Sequence, residues 1–421
     1  VDKQKILCLL KREIVPALGC TDPIAVAYAV SKASEVLEKK PEFIELYLSI
    51  NIIKNSLGVG IPGTDMIGVE IAAALGAIAG DSNKGLEVLK GATAEQVTLA
   101  KEMVNNKNIK TCLKEIEDKL YIEAICRADN EYSKVIVRGG HSNIVHIEKN
   151  DNILYEAECC INSGNEEITL TIKDIYDFAL SIDFKDIEFL LESAEMNKNV
   201  SQEGLKGDYG LKVGKMLKES GAFALMSNDL ANEIVAATAA ASDARMSGCP
   251  LPIMTTAGSG NQGITTTLPS VVLSESLGKS KEELARALVI SNLVTIHLKS
   301  YLGRLSPLCG AGIAASTGSC CAMTYLLGGE LKNIEYAIKN MIANVSGMIC
   351  DGAKTTCALK IATAVNAAIQ CSLLALKGMR PSNTDGIIHE DVEITIQNLG
   401  KLGMEGMNKT DESILQMMLT K

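Results

Sequence analysis

The sequence has no tryptophan, only 4% aromatic residues, nine prolines and four histidines in 421 residues. It also lacks an excess of positive charge: 41 Lys and Arg stand against 51 Asp and Glu, a net charge of −10, so no basic field is available for a phosphate backbone and nucleic acid is not an expected partner. Long apolar runs are missing too. Gly68 to Gly80 is too short to cross a bilayer and Ile361 to Leu376 is broken by Asn366 and Gln370, so no membrane span is expected. The opening run from Val1 to Glu13 mixes Lys, Asp, Gln and Arg with apolar residues and lacks the uninterrupted apolar centre of a secretory signal, which predicts a cytoplasmic protein. There are no repeats and no low-complexity tracts.

What is present is a hydrophobic content of 47%, ample for a large core, and 13 cysteines. In a reduced compartment cysteines serve as buried hydrophobes, nucleophiles or metal ligands more often than as disulfides. The pattern along the chain changes once. Residues 3 to 39 read as helical, with a break between Pro16 and Pro23 where Thr21 or Asp22 can cap a new helix. Phe43 to Ile53 alternates like a strand, Asp65 to Ala79 and Ala94 to Val104 have helical spacing, and Leu120 to Arg127, Lys134 to Arg138 and Ile144 to Glu148 read as strands of an antiparallel sheet. After Thr171 the pattern is helical, with one further strand-like run from Val392 to Ile396. The fold class predicted is α+β: an N-terminal mixed portion over 1–170, whose helical start 1–38 is free to pack on the second domain, followed by a large all-helical domain over 171–421. Abundant Ala, Gly, Ser and Thr in the second half predict closely packed helices, which leave room for a homodimer interface.

No pair of cysteines has the CxxC spacing of a zinc site or ferredoxin. The adjacent pairs Cys159-Cys160 and Cys320-Cys321 read as structural, because neighbouring residues do not readily point at one centre. Cys20, Cys309 and Cys350 share a different context: each lies beside a glycine (Gly19, Gly310) or one residue short of one (Gly352), and each is expected to precede a helix. Free N–H groups and the positive helix end stabilise a thiolate or an anionic cluster there. Cys357 follows Cys350 by seven residues and is read as sharing its helical face, which makes it a reserve ligand. Buried packing remains an open reading for each.

Several stretches together resemble the L-cysteine desulfidases, a family related to the iron–sulfur L-serine dehydratase alpha chain. They are Val15-Pro16-Ala17-Leu18-Gly19-Cys20-Thr21-Asp22-Pro23, Asn51-Ile52-Ile53-Lys54-Asn55 with Pro62-Gly63-Thr64, and Arg138-Gly139-Gly140-His141-Ser142-Asn143. Ser259-Gly260-Asn261-Gln262-Gly263, the Cys309 segment and Cys350-Asp351-Gly352 complete the set. The resemblance spans nearly the whole chain. It implies an oxygen-sensitive [4Fe-4S] cluster held by Cys20, Cys309 and Cys350, with one iron open to substrate, and a lyase that converts L-cysteine to pyruvate, ammonia and hydrogen sulfide. The family motif commonly has Glu where Asp22 stands. The dehydratase pattern sets its third cysteine farther from the second than Cys357 lies, which favours Cys20 over Cys357.

β-Elimination needs a base for the Cα proton and groups to hold the amino acid. Expected bases are His141 and Lys54, each in a polar, glycine-flanked segment, against the bland reading of Lys54 as a solvated lysine; His297 is a third candidate with a core role in view, and His146 and His389 read as surface residues. Asn55, Ser142, Asn143, Ser259, Asn261 and Gln262 are the expected substrate-binding residues, and Arg245 either meets a carboxylate or forms a structural ion pair. Three rivals stay open: an L-serine dehydratase with the same cluster, a pyridoxal phosphate-dependent lyase, and a non-catalytic sulfur carrier or redox sensor.

Overall fold

The computed structural model describes residues 2–157, 169–219 and 229–420. Alternating burial builds the sheet. Strand β1 is Pro16–Leu18, β2 Phe43–Leu48, β3 Ile109–Leu113, β4 Tyr121–Ala128, β5 Glu131–Arg138, β6 Ile144–Lys149, β7 Asn152–Glu156 and β8 Pro252–Met254. Six of these form one sheet in the order β3-β2-β4-β5-β6-β7, antiparallel except for the parallel β2–β3 edge. Period-two side chains from β2 (Ile44, Leu46, Leu48), β4 (Ile122, Ala124, Cys126) and β5 (Val135, Val137) are buried on one face. The helix Thr21–Leu37 covers that face. Its alanines at 25, 27, 29 and 33 allow close approach, so that Ser133 Oγ donates to the Ala33 carbonyl at 2.6 Å.

The first helix, Lys3–Glu13, belongs elsewhere: Ile6, Leu7 and Leu10 pack into the core of the helical half. That half is built around Leu230–Met246, a helix buried on nearly every side, together with Gly260–Ser276, Lys281–Leu302, Ser316–Leu326, Leu331–Val345 and Cys357–Leu376. Small residues and hydroxyls that bond to backbone permit this density, as where Ser291 Oγ donates to Thr266 O at 2.7 Å across two helices. Cys357–Leu376 is long and apolar enough to span a bilayer by length and composition, and its apolar residues Ile361, Val365 and Ala368 are in the core. Cys320 and Cys321 are fully buried in the same core. The pair Cys159-Cys160 lies outside the described residues.

The two cores are stitched at a seam. β1 pairs antiparallel with β8, placing Ala17 opposite Ile253; Gly58 bridges Lys354, and Gly60 N–H donates to Met246 O at 3.0 Å. The last helix, Thr410–Leu419, returns across the seam to bury Leu415 in the sheet core.

Three expectations need correction. The strand read over Phe43 to Ile53 ends at Leu48, and Ile50–Ser56 is a helix that turns Asn51, Lys54 and Asn55 inward. Val392 to Ile396 is the start of a helix, Val392–Lys401, capped by Asp391, with Val392, Thr395, Ile396 and Leu399 buried at helical spacing. Cys350 does not precede a helix directly: the next begins at Cys357, so these two do not share a helical face.

Candidate metal centre and active site

Each of the four candidate thiols reaches the seam by a different local device. Cys20 is the cap residue of Thr21–Leu37 and packs with Val59 and Met246, with Cys357 against them. Cys309 and Cys350 are drawn together by an antiparallel bridge between Leu308 and Ile349, in which Cys309 N–H donates to Met348 O (2.8 Å) and Cys350 N–H to Pro307 O (2.7 Å). After Cys309 the chain makes a π turn, Ala311–Ala315, and Gly312 N–H points at the Cys309 sulfur, 3.3 Å away. Cys357 opens the helix Cys357–Leu376. Its electrostatic influence is felt at both Cys20 and Cys309, and that of Cys350 at both Cys309 and Cys357. The segment between Cys350 and Cys357 is held by Asp351, which accepts from Lys354 (2.8 Å) and Lys360. Gly352 has a positive φ and lies against the Lys54 carbonyl, where a Cβ would sit 2.4 Å away, so this turn admits no side chain.

Burial pushes the Cys20 thiol up to about 12, opposed chiefly by the Arg245 guanidinium, and pushes Cys309 up to about 12, reinforced by Cys350 and Cys357. Such thiols stay protonated at neutral pH unless a cation sits among them, and a coordinated metal deprotonates a thiol outright. Among the described residues no three His, Cys, Asp or Glu side chains converge as a single metal ion requires. A [4Fe-4S] cluster asks for something else, because each thiolate bonds to its own iron. Gathered thiols, a backbone N–H aimed at one sulfur and the buried Arg245 are donor chemistry that fits such an anionic cluster. Arg245 meets no carboxylate among the described residues; its Nε donates to Gly19 O at 3.2 Å.

Beside Cys20 stands a buried histidine–carboxylate pair. His141 Nε2 lies 3.1 Å from Asp22 Oδ1, and Asn55 Nδ2 donates to Asp22 Oδ2 at 3.2 Å, leaving Asn55 Oδ1 buried and without a partner among the described residues. The other ring nitrogen of His141 faces the turn before Gly260–Ser276: a Cβ at Gly258 would lie 3.3 Å from Nδ1 and 2.8 Å from Arg304 Nη1. Asn261 and Gln262 occupy the first turn of that helix, both buried, with Asn261 donating to the Met246 sulfur at 3.5 Å; Ser259, half-buried, precedes the helix.

Other expected residues do not join this group. Lys54 is 1% exposed, so it is not solvated, and it is engaged: Nζ is 2.5 Å from Asp411 Oδ1 and 3.1 Å from Cys350 O, which makes it a clamp between the last helix and the Cys350 segment rather than a free base. Ser142 and Asn143 are exposed in the turn after β5, where Asn143 Nδ2 closes its own loop on Arg138 O at 2.8 Å; they do not line the seam. His297 pairs with Glu393 at 2.7 Å in the helical core, His389 is exposed, and His146 is half-buried beside Glu148 on the outer strands.

Lys299 was legible and overlooked. Leu288, Asn292, Thr295, Lys299 and Leu302 recur at four- and three-residue steps along Lys281–Leu302 and all are buried, so a charged residue stands on the core-facing stripe. Burial lowers its ammonium to about 8, while the Cys350 and Cys309 thiols, which it lies near, act the other way.

Residues 83–416 match the family described as serine dehydratase alpha chain. The chain is 53% identical to a UPF0597 protein of Clostridium perfringens over 421 residues, covering 100% of this chain and 99% of the relative. It is 47% identical to a UPF0597 protein of Bacteroides fragilis and 42% identical to one of Porphyromonas gingivalis, covering 100% of this chain and 99% of each relative.

Proposed function

Because the chain belongs to the serine dehydratase alpha-chain family, which points to an iron–sulfur, dehydratase-type lyase, we propose that it is an L-cysteine desulfidase. The reaction would take L-cysteine and water to pyruvate, ammonia and hydrogen sulfide. The observation that carries this reading is the meeting, at one seam, of the buried Cys20 and the half-buried Cys309, Cys350 and Cys357 from distant segments with the His141–Asp22 pair. Cys20, Cys309 and Cys350 would hold the cluster, with Cys357 in reserve. When bound, the cluster supplies a Lewis-acidic iron for the leaving sulfur.

The remaining work falls to the chain. Asp22 fixes the His141 ring through Nε2 and leaves Nδ1 as the proton acceptor, so His141 removes the Cα proton while Asp22 stabilises the imidazolium that results. Loss of that proton and of sulfide leaves aminoacrylate, which tautomerises and hydrolyses to pyruvate and ammonia without further catalysis. Arg245, buried beside Cys20, balances negative charge at the seam. Asn55, Asn261 and Gln262 are the polar groups on hand to orient the substrate, whereas Lys54 keeps the Cys350 segment in place.

The family description favours a second reading, L-serine dehydratase with the same residues, in which water leaves instead of sulfide. A pyridoxal phosphate lyase would call for alternating strands and helices, and the described residues after Leu170 contain one strand of three residues. The thiols of Cys20 and Cys309, pushed up to about 12 by burial, are poor nucleophiles, which counts against a sulfur carrier that acts through them.

The test is purification without oxygen, counting of iron and acid-labile sulfide, and assay of pyruvate and sulfide from L-cysteine beside pyruvate from L-serine. Iron near four per chain with turnover of cysteine well above serine is expected. Full activity in iron-free protein would end the cluster assignment, and faster turnover of serine would shift the reading to the dehydratase.

A further inference from the structure

Two polar groups at the seam face the same point: a buried amide oxygen with no hydrogen-bond partner and an ammonium with no carboxylate partner among the described residues. Gln262 commits its amide nitrogen to the carbonyls of Thr256 (3.3 Å) and Ala257 (3.4 Å). Those bonds orient the amide, and Oε1 is left buried with no donor among the described residues. Lys299 is 7% exposed, and its ammonium, which lies near the Cys350 and Cys309 thiols, has no carboxylate partner among the described residues. The two meet over Gly310, where a Cβ would lie 2.7 Å from Gln262 Oε1 and 3.5 Å from Lys299 Nζ. Gly310 has only hydrogen there.

An ammonium without a carboxylate partner beside a bare, buried amide oxygen is selective in what it accepts. A simple anion would satisfy Lys299 and bring a second oxygen against Oε1. A simple amine would satisfy Oε1 and repel Lys299. A ligand that brings one negative acceptor and one positive donor, a bond or two apart, satisfies both. We propose that Lys299 and Gln262 form the receptor for the zwitterion of a free α-amino acid: Lys299 Nζ binds the α-carboxylate, and Gln262 Oε1 accepts from the α-ammonium. The receptor deepens the lyase reading and rests on it for the identity of the reacting side chain. Ala257, which holds the Gln262 amide, adjoins Gly258, the residue that His141 Nδ1 faces, so the receptor and the base are served by one turn.

The experiment uses the oxygen-free holoenzyme and three probes in calorimetric titrations: L-alanine, which carries the zwitterion and no leaving group; alaninamide, which lacks the carboxylate; and propionate, which lacks the ammonium. Binding of L-alanine, with both analogues at least about tenfold weaker, is expected. Lys299→Met should weaken L-alanine by about tenfold or more and raise KM more than it lowers kcat, with iron content unchanged. Its melting temperature should change little, because no carboxylate ion pair is lost; a merely structural lysine would move it down. Lys299→Arg should recover part of the affinity. Unchanged L-alanine affinity and KM in Lys299→Met, a lowered melting temperature with loss of iron, or no binding of L-alanine by the unaltered enzyme would each overturn the receptor. Should the unaltered enzyme turn over neither cysteine nor serine, yet lose L-alanine in Lys299→Met, the receptor stands and the desulfidase reading falls.

Discussion

Two groups of cysteines in this protein differ in their surroundings more than in the direction in which burial shifts their thiols. Cys126 lies in the sheet core and Cys320 and Cys321 in the helical core, all with less than 1% of their surface exposed, and burial raises each thiol as it raises Cys20 and Cys309 at the seam. The neighbours differ. Cys320 and Cys321 belong to the apolar helical core, with Cys371 and Thr324 beside Cys320, and there the thiols fill space. Around Cys20, Cys309, Cys350 and Cys357 stand Arg245, Lys299, a histidine–carboxylate pair, a bent π turn and amide oxygens without partners. A buried thiol is thus a candidate ligand because of the polar company it keeps, which the surrounding fold must hold at a cost in stability.

The largest effect should come from the thiols themselves. Cys309→Ala or Cys350→Ala should lose iron and activity together, by at least about a hundredfold in turnover, whereas Cys321→Ala should keep both and lose roughly 1–2 kcal/mol of stability from the small cavity it leaves. Iron analysis beside urea denaturation would show it, and equal loss of iron in all three variants would erase the distinction between seam and core.

The histidines repeat the comparison. His141 and His297 each face a carboxylate, at 3.1 and 2.7 Å, one at the seam and one in the helical core. His141→Ala should lower kcat by about 10²–10⁴, the range for loss of a general base, with little change in iron content. His297→Ala should leave kcat within about threefold and cost roughly 1–2 kcal/mol of stability. Steady-state kinetics on the two variants would break the assignment if the losses were reversed.

The smallest effect sharpens the contrast along a single helix. Arg245 on Leu230–Met246 faces the seam, while Asp243 turns the other way and accepts from Gly214 N–H at 3.0 Å. Burial raises its carboxyl to about 6, opposed by backbone N–H groups of Gly214, Val213 and Leu211. A carboxyl raised in the folded state binds its proton more tightly there than in the unfolded chain, so its contribution to stability is present below about pH 4 and is lost as pH rises through about 6. In urea titrations, the stability of the unaltered protein relative to Asp243→Asn should therefore fall by on the order of 1–2 kcal/mol between pH 4 and pH 7. A flat difference over that interval would mean the carboxyl is not held neutral.

Legibility followed the same division. Strands β4, β5 and β6 could be read because one face is buried and the period of two is local, and Ala94–Asn105 because its cap and spacing lie within a dozen residues. Ile50–Ser56 misled because Ile52 and Ile53 continue the apolar content of β2 while the chain has already turned. Cys20 and Cys309 were marked by glycines and helix starts, but Cys350 owes its place to a bridge with residues some forty positions earlier, which no local pattern records.

The sequence by itself determined the two-part α+β plan, the thiols available and the histidine at 141, because composition and short-range periodicity are properties of neighbours along the chain. Only the tertiary structure decided that Cys20 and Cys357 adjoin, that Lys54 is taken by Asp411, that Asp22 orients His141, and that Lys299 faces Gln262 across Gly310. Those meetings join residues from tens to hundreds of positions apart. They arise when two cores, each buried for its own reasons, close against one another and bring the unpaired groups between them into one place.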